Sequence, residues 1–99
     1  MKIHPLIWHH RSGRKSIAAG VSAEYVVGMD RAESDELLEW LAEWCAQPQF
    51  VFRHEWQMGD LLIWDNTGTM HRVLPYAADS GRRLHRVTLV GEEPLVAAA

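Results

Sequence analysis

Cysteine and long apolar runs are scarce in this sequence, and both shortages limit where the protein can reside. Cys45 is the single cysteine among 99 residues, so an internal disulfide is excluded and a reducing, cytoplasmic location is expected. The N-terminal apolar run is short and is broken by His4 and Pro5, so it predicts neither a secretory signal nor a membrane span. We therefore expect a cytoplasmic protein with no membrane partner.

Excess positive charge is also lacking. The ten Lys and Arg residues are scattered among thirteen acidic residues, and the net charge is −3. A nucleic-acid-binding surface needs basic residues clustered in a patch or stripe, so no nucleic-acid partner is expected. The composition, 47% hydrophobic and 23% charged, is instead ordinary for one small globular domain.

The first half of the chain carries a hairpin pattern and a helix pattern. Residues 4–19 form two short apolar segments around a Ser-Gly turn at Gly13, which predicts a β-hairpin. From Asp30 the apolar residues recur at a helical spacing, and Asp30 with Glu33 resembles a capping pair. A helix ending before Pro48 is predicted, with one apolar face formed by Leu37, Leu38, Leu41, Trp44 and Cys45.

The second half carries strand patterns. Residues 50–57 alternate apolar and polar, which predicts a half-buried strand, and the apolar run 61–65 predicts a strand covered on both faces. Residues 82–91 predict a closing strand. The fold class expected from the whole chain is mainly β with one helix. The tail, 92–99, is predicted to be trailing chain without a function of its own.

A single histidine follows the predicted strand at 61–65. A lone His is more often a surface or hydrogen-bonded residue than a metal ligand, but His71 lies between a buried strand with its polar turn and a strand that carries Arg82 and Arg86. Residues four apart in a strand share a face at a separation of about 13 Å. If that face is buried, the two arginines need an anionic group such as a carboxylate. If it is exposed, they are solvated, and the spacing alone favours this second interpretation.

Three other features have ordinary explanations. Adjacent side chains in a strand point to opposite faces, so His9 and His10 are not expected to bind one metal ion together. The basic stretch 11–15 lacks the glycine pattern of a phosphate loop and is expected to be a solvated hairpin tip. Cys45 lies on the apolar helix face and is expected to be a small buried hydrophobic residue.

Several segments together carry a resemblance to a known family. The most specific are "FVFRHEWQMGDLLIWDNTGTMHRVLPY" and "RRLHRVTLVGEEP", which contain W-x-x-G-D-x-x-x-W-D-N-x-x-x-x-H followed by R-x-L-H-R; "HPLIWHHRSGRKS" and "ESDELLEWL" precede them in the expected order. They resemble the C-terminal portion of the taurine dioxygenase-like (TauD/TfdA) family of Fe(II)- and 2-oxoglutarate-dependent oxygenases. The resemblance covers almost all 99 residues. It implies a double-stranded β-helix, the cupin-like jelly roll, and an enzyme that couples oxidative decarboxylation of 2-oxoglutarate to hydroxylation of a small acidic substrate.

The resemblance also implies roles for particular residues. His71 matches the distal histidine of the family's iron site, and Arg82 matches the arginine that binds the 2-oxoglutarate carboxylate. Arg86 matches an active-site arginine that reaches the acidic group of the substrate in some members. Trp64, Asp65 and Asn66 (64–66) are expected to shape the turn that presents His71 rather than to contact substrate.

The sequence departs from the family at the other iron ligands. The family requires a His-x-Asp or His-x-Glu pair, and none of the six histidines has an acidic residue two positions on. Residues 1–99 are therefore expected to be the C-terminal third of the family domain, without oxygenase activity as an isolated chain. A fragment that lacks an N-terminal portion is the leading hypothesis. The alternatives are a non-catalytic half jelly roll that acts as a homodimer or binds a partner, and a split oxygenase whose missing ligands come from a second polypeptide.

Overall fold

The computed structural model describes residues 2–20 and 22–94 of the chain. Strand β1 comprises Ile7–His9 and strand β2 comprises Lys15–Ile17. Helix α1 comprises Arg31–Cys45, and a single 3₁₀ turn follows at Pro48–Phe50. Within the described residues, no helix is long and apolar enough to cross a membrane.

The hairpin predicted for residues 4–19 is confirmed. Strands β1 and β2 pair antiparallel, with Trp8 opposite Ser16 at the centre of the register. Beyond the ladder, the N–H of His10 donates to the carbonyl of Arg14 at 2.9 Å, which closes a three-residue loop. Gly13 has φ 86°, the left-handed conformation that this loop type requires at its last residue.

The helix is confirmed, and Asp30 of the predicted capping pair caps it. The Asp30 carboxylate accepts a hydrogen bond from the N–H of Ala32 at 3.2 Å, so it satisfies one of the free donors in the first turn. Ser34 is fully buried, and its Oγ accepts the N–H of Val26 at 2.6 Å. This bond fixes the preceding segment against the start of α1. The helix ends at Cys45, before Pro48.

The apolar face of α1 is covered less than the sequence predicted. Leu37, Leu38 and Leu41 are half-buried, and Trp44 is exposed. Cys45 is also half-buried, so the prediction that it is a buried hydrophobic residue is wrong. The physical reason is that few side chains pack on this face: in the described part of the chain, the buried residues are Ala19 and Ser34.

The three strands predicted for the second half are not formed. Residues 51–57, 61–65 and 82–91 make no strand ladder in the described structure, so the predicted fold class is confirmed only in its single helix and one two-stranded sheet. A strand is stable only when a neighbour satisfies its backbone N–H and C=O groups, and within the described ranges these segments have no such neighbour. The helix, at 15 residues, is the largest regular element.

Apolar side chains of these segments remain exposed to solvent. Phe52, Ile63 and Leu89 are 83%, 84% and 87% exposed. A compact folded monomer of this mass exposes roughly 5,700 Å², whereas the chain exposes 9228 Å². The chain therefore buries much less apolar surface than a self-contained domain of its size.

Candidate functional site

The turn formed by residues 65–69 is closely hydrogen-bonded. The Asp65 carbonyl accepts both the N–H and the hydroxyl of Thr69, at 3.0 and 2.6 Å. The Asp65 carboxylate accepts the hydroxyl and the N–H of Thr67, at 2.8 and 3.0 Å. These two bonds, the hydroxyl bond foremost, lower the pKa of Asp65 below its ordinary value. A Cβ at Gly68 would lie 2.8 Å from Asp65 Oδ2, so a side chain at this position would displace the Asp65 carboxylate.

His71 follows this turn and has an exposed side chain. Its ring centroid lies 5.0 Å from that of Trp64 at an interplanar angle of 51°. The indole N–H of Trp64 donates to Asn66 Oδ1 at 2.7 Å. Trp64 therefore connects the His71 ring to the turn. Residues 64–66 lie around the turn that precedes His71, as the sequence predicted.

The two arginines have different surroundings. Arg82 is half-buried, and its guanidinium carbon lies 4.5 Å from the centroid of the Tyr76 ring, a cation–π distance. Its backbone N–H donates to Ser80 Oγ at 3.3 Å. Arg86 is exposed. Among residues 2–20 and 22–94, no hydrogen bond or ring contact joins His71 to either arginine, so the structure does not bring the three together.

A second cluster, which sequence reasoning missed, joins the hairpin to this turn. His10 Nδ1 lies 3.1 Å from Glu93 Oε2, and His10 Nε2 lies 2.7 Å from Ser16 Oγ. The Ser16 hydroxyl donates to the carbonyl of Thr67 at 2.6 Å, and the backbone N–H of Arg11 donates to Glu93 Oε1. The His10 side chain is 11% exposed. We call His10, Ser16, Thr67 and Glu93 the hairpin relay.

The relay corrects the prediction for the tail. Glu93 was expected to be trailing chain, yet it contacts residues 82 and 83 positions earlier, and no local pattern could signal a contact at that separation. Its pKa is lowered by the backbone N–H of Arg11 and then by His10. The remaining tail residues, 95–99, lie outside the described residues. One part of the relay was readable: alternation along β1 places His10 on the same face as Trp8, which pairs with Ser16.

The hairpin tip borders an open cleft of about 480 Å³. Arg14, Lys15, Asp65 and Glu93 are among the residues that line it. Residues 11–15 are exposed, in agreement with a solvated hairpin tip. His9 is exposed whereas His10 is half-buried, which follows from their opposite orientation on the strand.

Comparison with known proteins gives the chain a family. The family model for the taurine catabolism dioxygenase TauD, TfdA family matches residues 2–88. The chain belongs to this family. The match confirms the resemblance read from the motifs around His71 and Arg82.

Curated relatives agree with this family. The chain is 43% identical over 88 residues to an alpha-ketoglutarate-dependent 2,4-dichlorophenoxyacetate dioxygenase of Burkholderia sp. (strain RASC), covering 88% of the chain and 30% of the relative. It is 35% identical over 99 residues to an (S)-phenoxypropionate/alpha-ketoglutarate-dioxygenase of Delftia acidovorans, covering 100% and 32%. It is 37% identical over 90 residues to an alkylsulfatase of Acinetobacter baylyi, covering 90% and 28%. The chain thus spans about 30% of the length of the TauD/TfdA relatives it matches. No solved structure is significantly similar to it.

The residues described do not form an iron site of the TauD/TfdA type by themselves. A facial iron site requires two imidazoles and one carboxylate. Within the described ranges, no three His, Cys, Asp or Glu side chains come close enough together to hold a metal ion. The ligands that the described residues offer therefore do not fit iron without further ligands.

Proposed function

We propose that this chain supplies the distal iron-binding histidine and the 2-oxoglutarate-binding arginine of a non-haem Fe(II)/2-oxoglutarate-dependent dioxygenase. The observation that carries the proposal is the family match over residues 2–88, with the chain spanning about 30% of its relatives. In this proposal, residues 1–99 are the C-terminal third of the domain. The other histidine and the carboxylate of the iron site come from a part of the domain outside these residues, and the chain alone has no oxygenase activity.

The surroundings of the three site residues support their proposed roles. The ring of His71 is exposed and follows a turn held by four hydrogen bonds, so it is free to act as a ligand. The guanidinium carbon of Arg82 lies 4.5 Å from the centroid of the Tyr76 ring, and the planar fork of an arginine can bind the carboxylate of 2-oxoglutarate in a bidentate pair. Arg86 is exposed and binds the acidic group of the substrate.

The exposed apolar segments support an incomplete jelly roll. Phe52, Ile63 and Leu89, in the three segments predicted as strands, expose more than four fifths of their surface. Exposed apolar surface of this extent in a monomer marks an interface. Pairing of these segments with strands of a larger sheet would satisfy their backbone groups and bury these side chains. The proposed fold is thus the jelly roll of the family, completed by the rest of the domain.

The proposed substrate is a small molecule with an acidic group. Relatives of the chain are named for 2,4-dichlorophenoxyacetate, (S)-phenoxypropionate and alkyl sulfates. A carboxylate, a sulfonate and a sulfate ester each accept a hydrogen bond from a guanidinium such as that of Arg86. The lone cysteine and the absence of a basic stripe support a cytoplasmic enzyme with no nucleic-acid or membrane partner.

The test uses the protein expressed from its natural gene. Native mass spectrometry with added Fe(II) and 2-oxoglutarate is expected to show one iron and one oxoacid on a longer chain, or on a complex with a second chain. His71→Ala should abolish iron binding, and Arg82→Ala should weaken 2-oxoglutarate binding. The control variants His85→Ala and Arg83→Ala change an exposed histidine and an exposed arginine. Both variants should still bind iron and 2-oxoglutarate. A 99-residue protein that binds neither iron nor oxoacid contradicts the proposal.

The same exposed surface favours a second candidate. A non-catalytic half jelly roll could cover these segments by pairing with a second copy of itself, as homodimers do with self-complementary surfaces. Sedimentation of the 99-residue chain distinguishes the two candidates. A concentration-dependent dimer of intact chains that binds neither iron nor 2-oxoglutarate favours the module, whereas a monomer that joins a complementing chain favours the oxygenase.

A further inference from the structure

We propose that helix α1 carries a docking surface for a second copy of this protein, and that its occupant is the basic tip of the second copy's hairpin. Two such contacts, each copy placing its tip on the helix of the other, form a two-fold symmetric dimer. The inference goes beyond the proposed function and does not depend on it, because it involves neither His71 nor Arg82.

Three aromatic side chains form a continuous exposed row on α1 and the turn after it. The rings of Trp40 and Trp44 stack with their centroids 6.4 Å apart, and the centroid of the Phe50 ring lies 4.9 Å from that of Trp44. Trp40 is 56% exposed, Trp44 44% and Phe50 54%. We call these three residues the aromatic ridge. Aromatic residues, tryptophan above all, are enriched at the centre of protein–protein interfaces.

The aromatic ridge lies in the most acidic part of the chain. Five of the fifteen residues of α1 are acidic and one is basic, so the helix carries a charge of −4 while the whole chain carries −3. Glu36 precedes Trp40 by four residues and Glu43 follows it by three, so both glutamates share the face of the ridge. Both are exposed, and no ion pair among the described residues includes either one. The ridge therefore fits a cationic occupant.

The hairpin tip has the complementary charge. Glu93 and Glu92 accept hydrogen bonds from the backbone and the guanidinium of Arg11, which leaves Arg14 and Lys15 as the available cations. Both are exposed, and neither belongs to an ion pair within the described part of the chain. A guanidinium stacks on a tryptophan ring and also pairs with carboxylates. Arg14 thus has the chemistry that an aromatic row beside glutamates selects.

The distribution of charge also selects the arrangement of the dimer. A dimer that placed helix on helix would bring two acidic faces together, and like charges across an interface repel. A tip on a helix brings opposite charges together. Two-fold symmetry then repeats this favourable contact, because the surface that each copy offers is also the surface that it needs.

The area of the two contacts is sufficient for a specific dimer. An aromatic side chain buries about 150–250 Å² in a complete contact, so three that are half exposed offer roughly 300 Å². Two aromatic ridges and the two tips that cover them would bury roughly 1,200 Å² in total, and a specific interface needs about 1,000 Å² or more.

The test is the oligomeric state of the natural protein and its variants, measured by native mass spectrometry and by sedimentation over a range of concentrations. The natural protein should be a dimer. Glu43→Arg reverses a charge beside the aromatic ridge, and Arg14→Glu reverses a charge of the tip. Each variant alone places like charges in both contacts. The Kd of its dimer should therefore rise roughly tenfold or more for each contact, and roughly 100-fold or more for the two.

An equimolar mixture of these two variants is the decisive measurement. The unchanged tip of the Glu43→Arg protein meets the unchanged helix of the Arg14→Glu protein, and the two reversed charges meet in the second contact. Opposite charges face each other in both contacts, so a mixed dimer should form. Its formation also shows that both variants fold.

Two more variants separate the aromatic ridge from the rest of α1. Trp40→Ala removes the centre of the ridge and should raise the Kd about 30-fold for each contact, the loss typical of a central aromatic residue. Asp35→Arg is the control, because it reverses a charge on the other side of the helix, five residues before Trp40. The exposed pair of Asp35 with Arg31 contributes little to stability, so this variant should dimerise like the unmodified protein.

Three results would overturn the inference. The first is a natural protein that is monomeric at every concentration measured. The second is an oligomer that Glu43→Arg and Arg14→Glu leave unchanged, or a mixture of the two variants that forms no dimer. The third is a Trp40→Ala protein with a lower midpoint of thermal unfolding and an unchanged oligomeric state, since the rest of the domain would then cover the aromatic ridge.

Iron and 2-oxoglutarate binding, measured on the same samples, separates this inference from the proposed function. A natural protein that binds both as a monomer refutes this inference alone. A dimer that responds to the substitutions as expected but binds neither iron nor 2-oxoglutarate refutes the proposed function alone.

Discussion

The pairing of Arg82 with Tyr76 gives a quantitative test of the proposed 2-oxoglutarate site. In Arg82→Lys the cation is kept but the planar fork is lost, so a bidentate carboxylate pair becomes a single contact. One hydrogen bond to a charged group contributes about 1.5–3 kcal/mol, which corresponds to roughly 10- to 150-fold weaker binding of 2-oxoglutarate. The part of the 2-oxoglutarate affinity that depends on bound iron should be unchanged, because His71 is not altered.

Tyr76→Ala tests whether the aromatic ring orients that fork. The guanidinium carbon lies 4.5 Å from the ring centroid, and such a contact near the surface contributes about 0.5–1 kcal/mol. Removing the ring should therefore weaken 2-oxoglutarate binding by roughly two- to fivefold. Tyr76→Phe keeps the ring and should bind like the unmodified protein.

The assay is titration of the natural, iron-loaded protein with 2-oxoglutarate under anaerobic conditions, so that binding is measured without turnover. Arg83→Lys, on an exposed neighbour, is the matched control. Equal affinities for Arg82→Lys and Arg83→Lys would refute the assignment of Arg82. A fivefold or greater effect of Tyr76→Phe would show that the hydroxyl, and not the ring, acts on the ligand.

Two further predictions concern the chain itself. Ser34→Ala leaves the half-buried N–H of Val26 without its acceptor, at a cost of about 1 kcal/mol, of which the higher helix propensity of alanine returns about 0.5 kcal/mol. Thermal unfolding followed by circular dichroism should show a lower midpoint for this variant, and Ser22→Ala, at an exposed position, should leave the midpoint unchanged. Asp65 and Glu93 have pKa values below their ordinary 3.8 and 4.5, so the stability they contribute is fully present above those values and is lost as the pH falls through the lowered ones. Acid titration followed at the Thr67 amide should therefore show the turn loosening below about pH 3.8, and an unchanged profile in Asp65→Asn would contradict this source of the effect.

Features that depend on neighbouring residues were predictable from the sequence. The helix was readable from the spacing of its leucines and from Asp30, because a cap and a helical face are both set within a few residues. The hairpin was readable from Gly13 for the same reason. The family was readable because the motif ending at His71 combines several fixed spacings, each weak alone.

Features that depend on distant partners were not predictable. The alternation in 50–57 indicates a face that would be buried in a sheet, but it contains no information on whether a partner strand is present. The contact of Glu93 with His10 joins residues 83 positions apart, and neither residue has a neighbour that signals it. The position of Arg82 on Tyr76 depends on the path of the loop between them, which composition does not determine.

The bond between the Arg11 backbone and Glu93 closes most of the chain into a ring. Residues 12–92 lie between the two bonded residues, and the entropy lost in closing such a loop grows only as the logarithm of its length, about 0.6 kcal/mol for each doubling. Insertions in the loops between α1 and the final segment should therefore change the closure little. Removal of Glu93 would open the ring. A truncation should therefore keep Glu93, and a tag or fusion should be attached after Pro94.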